Sequence, residues 1–350
     1  MKKPSYTGIY RMLLFVVATL ALTLMTSCNG MIYDDEGDCS AVYRLKFRYD
    51  YNMKYADAFA HEVKSVAVYA YDGDGNLVWQ GTDRGEHLAA AGYALDLPLA
   101  PGDYHIVAWC GLDGGESFTV GGRTRSDLGD MTCRLNTKTG ADGRAYCDED
   151  LHPLFYGNLD VTLPPMEDGG EYTCTMPLTK DTNVFRIVLQ QMKGAELDCD
   201  DFVFKIEDSN AWLDSGNNAL TAAGGVTADS VRYEAWTQYS GEADVEVEEG
   251  VVTARNTVVA EITVSRLMAS HSPGLSVHTR DGRKVLEIKN IFSWVMLTKG
   301  YYNKNMSNQE YLDRQDEYNM VFLLDSNHQW LEATIIINSW RVVRVPVDVQ

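Results

Sequence analysis

The chain has 350 residues, 50 of them acidic and 30 basic, giving a formal charge of −20 and a pI near 4.7. A surface so poor in lysine and arginine excludes nucleic acid as a natural partner, because phosphate binding needs clustered cations. Its acidity is a solubility device, and its length is enough for two domains, each able to bury a core.

The chain opens on an export signal. Lys2, Lys3 and Arg11 are the only charged residues before Cys28, and Met12 to Met25 is an apolar run of 14 residues broken only by Thr19 and Thr23. Crossing a membrane takes about 20 apolar residues and a secretory h-region about 7 to 15, so residues 1–27 read as a signal peptide. The signal closes on Met25-Thr26-Ser27-Cys28, which resembles the lipobox of bacterial lipoproteins. That resemblance implies a diacylglyceryl group on the Cys28 thiol, cleavage just before it and an acylated new amino terminus. Three acyl chains exceed the two signals that stable anchoring requires. Removing residues 1–27 leaves 323 residues and moves the formal charge from −20 to −23, since three basic residues go with the signal. Residues 28–40, with DDEGD at Asp34 to Asp38, read as an acidic tether.

The strands follow, with a period of two. From Ala41 to Tyr51, the sequence AVYRLKFRYDY places Ala41, Tyr43, Leu45, Phe47, Tyr49 and Tyr51 on one face. The other face carries Val42, Arg44, Lys46, Arg48 and Asp50, so one side of this strand is wet. VKSVAVYAYD and NLVWQG flank the turn DGDGN, and YALDLPL and DYHIVAWCG flank APG. Short alternating strands between Gly, Asp and Pro turns argue for a β-sandwich or barrel. The stretch from Gly121 to Leu163 is irregular until FYGNLDVTLPP, after which YTCTMPL closes a first set of strands. The polar LTKDTN then separates two domains, 41–178 and 179–350. The second set comprises NVFRIVLQQM, DFVFKIEDS, NTVVAEITVSRL, LSVHTRDGRKVLEIKN, MVFLLD, WLEATIIIN and WRVVRVPVDV. One helix is expected, from the capping box Ser307-Asn308-Gln309-Glu310 through QEYLDRQDEY.

Seven cysteines are present; with Cys28 lipidated, six remain, an even number in an exported chain, so disulfides are possible. Cys133 and Cys147 are the expected pair, because CRLNTKTGADGRAYC reads as two short arms around a polar turn. Such a bridge contributes about 3 kcal/mol by restricting the unfolded chain. Cys110, inside HIVAWCG, is instead a plain buried thiol. Neither C-x-x-C nor a zinc-type Cys/His spacing occurs, and Asp72-Gly73-Asp74-Gly75-Asn76 is a hairpin turn whose glycine is misplaced for a calcium loop. No metal or cofactor is expected beyond the lipid on Cys28. The seven histidines are scattered, with no H-E-x-x-H and no G-x-S-x-G, and no catalytic residue is assigned.

The lipobox, DDEGDC, YDYNMKYADAFAHEVKSVAVYAYDGDGN, DYHIVAWCG, LFYGNLDVTL, TKDTNVFRIVL, EYLDRQDEYNMVFLL and INSWRVVRVPVDV together resemble the FimB/Mfa-type fimbrial anchor subunits of Bacteroidales. The resemblance runs from residue 28 to the C-terminus. It implies an all-β fold of two tandem transthyretin-like β-sandwich domains, with one short helix in the second. It also implies a protein that is not an enzyme, anchored by lipid in the outer membrane, surface-exposed, holding a fimbrial shaft subunit and limiting fimbrial length.

In shaft subunits of this type, the resemblance implies that an Arg-directed protease removes the first strand and opens a groove for a neighbour's C-terminal strand. Here no Lys or Arg lies between Cys28 and Arg44, so the groove stays shut. Val343, Val345, Val347 and Val349 alternate with Val342, Arg344, Pro346 and Asp348, a strand able to complete a neighbour's sheet or to pair within its own domain. An alternative function is glycan binding at the cell surface. Sugar rings stack on exposed aromatic faces, with Trp212 and Trp236 the residues to test and Trp109 and Trp340 in core-like strand patterns.

Overall fold

The structure is a computed structural model describing residues 41–112, 116–121, 128–166, 170–191, 197–220, 230–248, 251–300, 303–338 and 340–343. The signal peptide, the acidic tether with Cys28, and Val345, Val347 and Val349 lie outside the described residues. The fold is all-β: sheets of seven, six, six and three strands, with a few short helices.

The seven-stranded sheet runs, in spatial order, Leu77–Arg84, Ser65–Tyr71, Gly102–Cys110, Phe155–Leu163, Gly170–Lys180, Ala41–Arg48 and Leu95–Leu97. Its centre is covered on both faces, which explains why SVAVYAY has no exposed position. Val66, Val68 and Ala70 join Leu45, Phe47, Ile106, Ala108 and Phe155 in one core. Ala67, Tyr69, Tyr71, Val107 and Trp109 face a second core containing Phe118, Met131 and Leu135. Each fully buried Val, Leu or Phe contributes about 1.5 to 3 kcal/mol. The first strand keeps its expected wet side, with Tyr43, Leu45 and Phe47 buried and Lys46 and Arg48 exposed. Asp72 closes the DGDGN hairpin by accepting from Asp74 N (3.0 Å) and Asn76 N (2.9 Å).

Two six-stranded sheets carry the second half. One runs Thr237–Glu248, Val251–Ser265, Thr182–Gln191, Glu317–Leu324, Trp330–Ile337, Trp340–Val343. The other runs Lys284–Ile288, Gly274–Thr279, Phe202–Asp208, Val231–Glu234, Ala145–Cys147, Lys138–Thr139. Two short strands of that second sheet come from the first half of the chain, so the expected division at 178/179 is crossed. Arg232 and Tyr233 pair with Tyr146 and Cys147, and Trp212 to Asp214 pair with Thr132 to Arg134 in the three-stranded sheet. Strands of two to four residues are too short for a period to show, and their partners lie far along the chain.

The same crossing overturns the Cys133–Cys147 bridge. Cys133 sits between Val120 and Leu213 in the three-stranded sheet, whereas Cys147 pairs with Tyr233 in a different sheet. Both are buried free thiols, and burial raises the pKa of each. Cys110 is a fully buried thiol, as expected.

The expected helix forms over Asn308–Arg314, with the Ser307 hydroxyl accepting from Glu310 N at 3.0 Å. The Glu310 carboxylate accepts from Arg314 Nε (3.0 Å). The helix ends before Tyr318, which is buried within a strand. It is not the only helix. Ile291–Val295 follows an Asn290 cap, and Phe59–Glu62 forms a single turn in the first half.

Candidate functional site

The two ends of the described chain are paired in different ways. Ala41–Arg48 lies inside its sheet. It pairs in parallel with Gly170–Lys180 over eight rungs, from Ala41↔Gly170 to Arg48↔Pro177, and antiparallel with Leu95–Leu97 on its other edge. Its inward side chains are pinned. Tyr43 donates to Pro164 O (2.7 Å), and Phe47 stacks on Phe59, centroids 5.4 Å apart. Outside, Arg44 bonds Asp96 (3.0 Å) and Glu171 (2.7 Å), pairs that contribute little in solvent.

The last described strand is an edge. Trp340–Val343 pairs antiparallel with Trp330–Ile337, from Ile337↔Trp340 to Thr334↔Val343, and nothing described pairs on its outer side. Val343 therefore sits in its own sheet. Val345, Val347 and Val349 lie outside the described residues, as does Cys28.

Between the two ends lies a polar joint that the sequence reading did not identify. Lys180, at the end of Gly170–Lys180, is held by Glu62 (2.9 Å) and Asp316 (2.7 Å). Burial opposes its charge, but Asp316 and Glu62 outweigh it and raise the Lys180 pKa. Arg266 binds Asp313 through Nε (2.9 Å) and Nη2 (2.8 Å) and stands 3.6 Å from fully buried Asp181. Asp181 also accepts from Asn217 Nδ2 at 2.9 Å, and its other oxygen has no partner. Burial pushes the Asp181 carboxyl up to about 7, with Asp313 adding to the rise and Arg266 and Asn217 opposing it. Arg314 lies over the rings of Tyr51 and Tyr55, 4.1 and 4.6 Å from their centroids, and its carbonyl accepts from Met53 N (3.1 Å). The only sequence hint of this joint was Lys180-Asp181 between two apolar strands.

Of the tryptophans singled out, Trp340 has its side chain outside the described residues. Trp109 is fully buried in the core, and Trp236 is half-buried. Trp212 is 42% exposed on the three-stranded sheet, with the Arg134 guanidinium 5.2 Å from its ring centroid. A separate open cleft of about 520 Å³ is lined by Asp72, Asp103, Tyr104, His105 and Asp160, in which His105 and Asp160 bond each other at 2.6 Å.

The architecture is strand-rich, with the first strand paired on both edges, and the proteins it is similar to are fimbrial anchor and adhesin proteins. The family model for fimbrillin-A associated anchor proteins Mfa1 and Mfa2 matches residues 35–345, and the chain belongs to that family. The minor fimbrium anchoring subunit Mfa2 of Porphyromonas gingivalis is 27% identical over 293 residues, 81% of each chain. A solved candidate adhesin from Bacteroides thetaiotaomicron is 32% identical with a TM-score of 0.75, covering 88% of this chain and 99% of that one. A candidate polysaccharide-binding protein of the same organism is 26% identical with a TM-score of 0.71, over 87% and 99% of the two chains. The solved Porphyromonas gingivalis Mfa2, 19% identical with a TM-score of 0.61, shares the fold.

Proposed function

We propose that this fimbrial anchor protein is lipidated at Cys28, retained by that lipid in the outer membrane, and placed where shaft growth ends. The observation that carries the reading is the placement of its first strand. Ala41–Arg48 is paired on both edges, so the groove that a neighbour would fill is already occupied by the chain itself. Arg44, the first basic residue after Cys28, lies within that paired strand, which leaves an Arg-directed protease no site ahead of it. At the other end, residues beyond Val343 supply the strand offered to the shaft, with Val345, Val347 and Val349 filling pockets on one side of the added ladder.

The test is a cell carrying Cys28→Ala, scored for membrane retention of the protein and for fimbrial length and shedding by electron microscopy. Lost retention with long, shed fimbriae supports the reading. Lost retention with unchanged fimbriae removes the fimbrial role and leaves a lipoprotein.

One observation favours a second activity, glycan binding. Trp212 presents an aromatic face to solvent beside Arg134. Binding on a glycan array that disappears with Trp212→Ala supports it, and an array without signal removes it.

A further inference from the structure

We propose that the parallel pair Ala41–Arg48 and Gly170–Lys180 is a shear clamp that lets the folded protein carry tension between its N-terminus and its second half. The proposal depends on the anchor reading only for the source of the tension. Its geometry stands on the strand register.

Ala41 is the end of the first strand nearest the tether, and it pairs with Gly170, the start of its partner. At the opposite end, Arg48 pairs with Pro177, and the partner runs on through Lys180 and Asp181 into Thr182–Gln191, a central strand of the second half. The first strand's C-terminal end also meets the second half directly. The Asp50 and Asn52 carbonyls accept from Arg314 Nη1 at 3.4 Å each, and Met53 N donates to Arg314 O. A pull on residue 41 against the second half therefore acts along the strand axis and enters and leaves the pair at opposite ends.

That geometry decides how the ladder fails. In a parallel pair pulled from opposite ends, the hydrogen bonds are loaded together and the strands must slide before any rung is free. Had the two strands run antiparallel, the pulled ends would meet and the rungs would open one after another. Each backbone bond contributes only about 1 kcal/mol net, so peeling needs little force at any instant, whereas sliding breaks the whole ladder at once. Forced rupture follows the height of that barrier rather than the equilibrium stability. Side chains add to the resistance, because sliding would drag Tyr43, Leu45 and Phe47 out of the core and break the Tyr43 bond to Pro164 O. The second half repeats the arrangement, with Thr182–Gln191 parallel to Glu317–Leu324 from Val184↔Glu317 to Gln191↔Leu324.

The test uses single-molecule force spectroscopy on residues 28–350 carrying Cys28→Ala. One handle is inserted in the exposed turn beside Asn327 in both samples. The other handle sits at the N-terminus in the first sample and beside exposed Lys54, past the end of the first strand, in the second. Matching thermal melts confirm that the two samples share one fold. A rupture force severalfold higher from the N-terminus than from Lys54 is the expected result. Equal forces, or release of the first strand at low force in the N-terminal geometry, would overturn the clamp. A failed anchor reading would show in the fimbriae of Cys28→Ala cells and would leave these force traces unchanged.

Discussion

The Asp181 carboxylate stands 3.6 Å from an Arg266 guanidinium that is already committed to Asp313 through two bonds. Against the pull of Arg266 and Asn217, burial first and the neighbouring Asp313 charge second favour a proton on Asp181. Its pKa rises from 3.8 to about 7, so the native state holds that proton more tightly than the unfolded chain does. Stability from this group is fully present below pH ~4 and is lost as pH rises through ~7, by on the order of 4 kcal/mol. Asp181→Asn, which keeps the shape and the Asn217 neighbour, is expected to be more stable than the parent at pH 8, with the gap closing towards pH 4. Urea midpoints across that range check this. His271, whose pKa is raised by its bond to Asp208 (2.9 Å), has the same sign, its stability being lost as pH rises through its folded value. The comparison is therefore repeated in His271→Gln; an unchanged pH slope in Asp181→Asn would remove Asp181 as the cause.

How much of this was legible depended on the length of each signal. The alternation of Tyr43, Leu45 and Phe47 with Arg44, Lys46 and Arg48 predicted the first strand and its wet face. Ser307 and Glu310 located the helix start, because a cap is a local bond between neighbours. Cys133 and Cys147 misled because fourteen positions of sequence separation suggested a hairpin, while the chain between them passes from one sheet to another. The joint was invisible for a related reason: Asp181 and Arg266 sit one position past the Thr182↔Ser265 rung of a ladder between strands far apart in the chain, Asp313 and Arg314 come from a helix further on, and no local period brings them together. At the C-terminus, Val342 and Val343 read as strand and pair as strand, but an alternating pattern does not encode which edge it joins.

Gly111 sets a strict backbone test. Its φ is +84°, and a Cβ there would lie 1.8 Å from the Pro153 carbonyl oxygen, a backbone atom with no rotamer to escape into. Gly143 has a similar φ of +76° but open space around it. Gly143→Ala is expected to cost about 1 to 2 kcal/mol, the left-handed penalty alone. Gly111→Ala adds displacement of the strand-end contact and is expected to cost roughly 3 kcal/mol or more. Thermal denaturation of both variants measures the difference, and equal losses would show that Pro153 yields without cost.

Arg314 closes the joint by lying across Tyr51 and Tyr55, the latter 59% exposed. A guanidinium stacked on a partly desolvated ring contributes about 0.5 to 2 kcal/mol. Arg314→Ala is expected to free the loop of residues 50–57 while both cores stay intact. Hydrogen exchange should then rise at Met53 N, whose acceptor is the Arg314 carbonyl, with little change at Val68 or Ile187. Arg314→Lys restores charge without the flat stacking surface, so it should recover only part of the protection. Full recovery by lysine would assign the contact to charge alone.

Truncation after Val343 separates the two uses of the C-terminal strand. The rungs from Ile337↔Trp340 to Thr334↔Val343 remain in the shortened chain, so its own sheet keeps its described edge. If residues 344–350 are offered to the shaft, the truncated protein melts within about 1 kcal/mol of the parent, since an exposed terminal segment adds little to the fold. It should nevertheless lose the shaft subunit on co-purification from cells. If the same residues serve only their own sheet, the melt falls and the shaft still co-purifies. Pro346 sharpens the contrast: it has no amide donor, so Pro346→Ala removes no hydrogen bond from whichever ladder takes the strand. Val345→Asp and Val347→Asp place charge on the alternating face and should abolish shaft binding at an unchanged melt, which ties the loss to pocket filling rather than to the length of the tail.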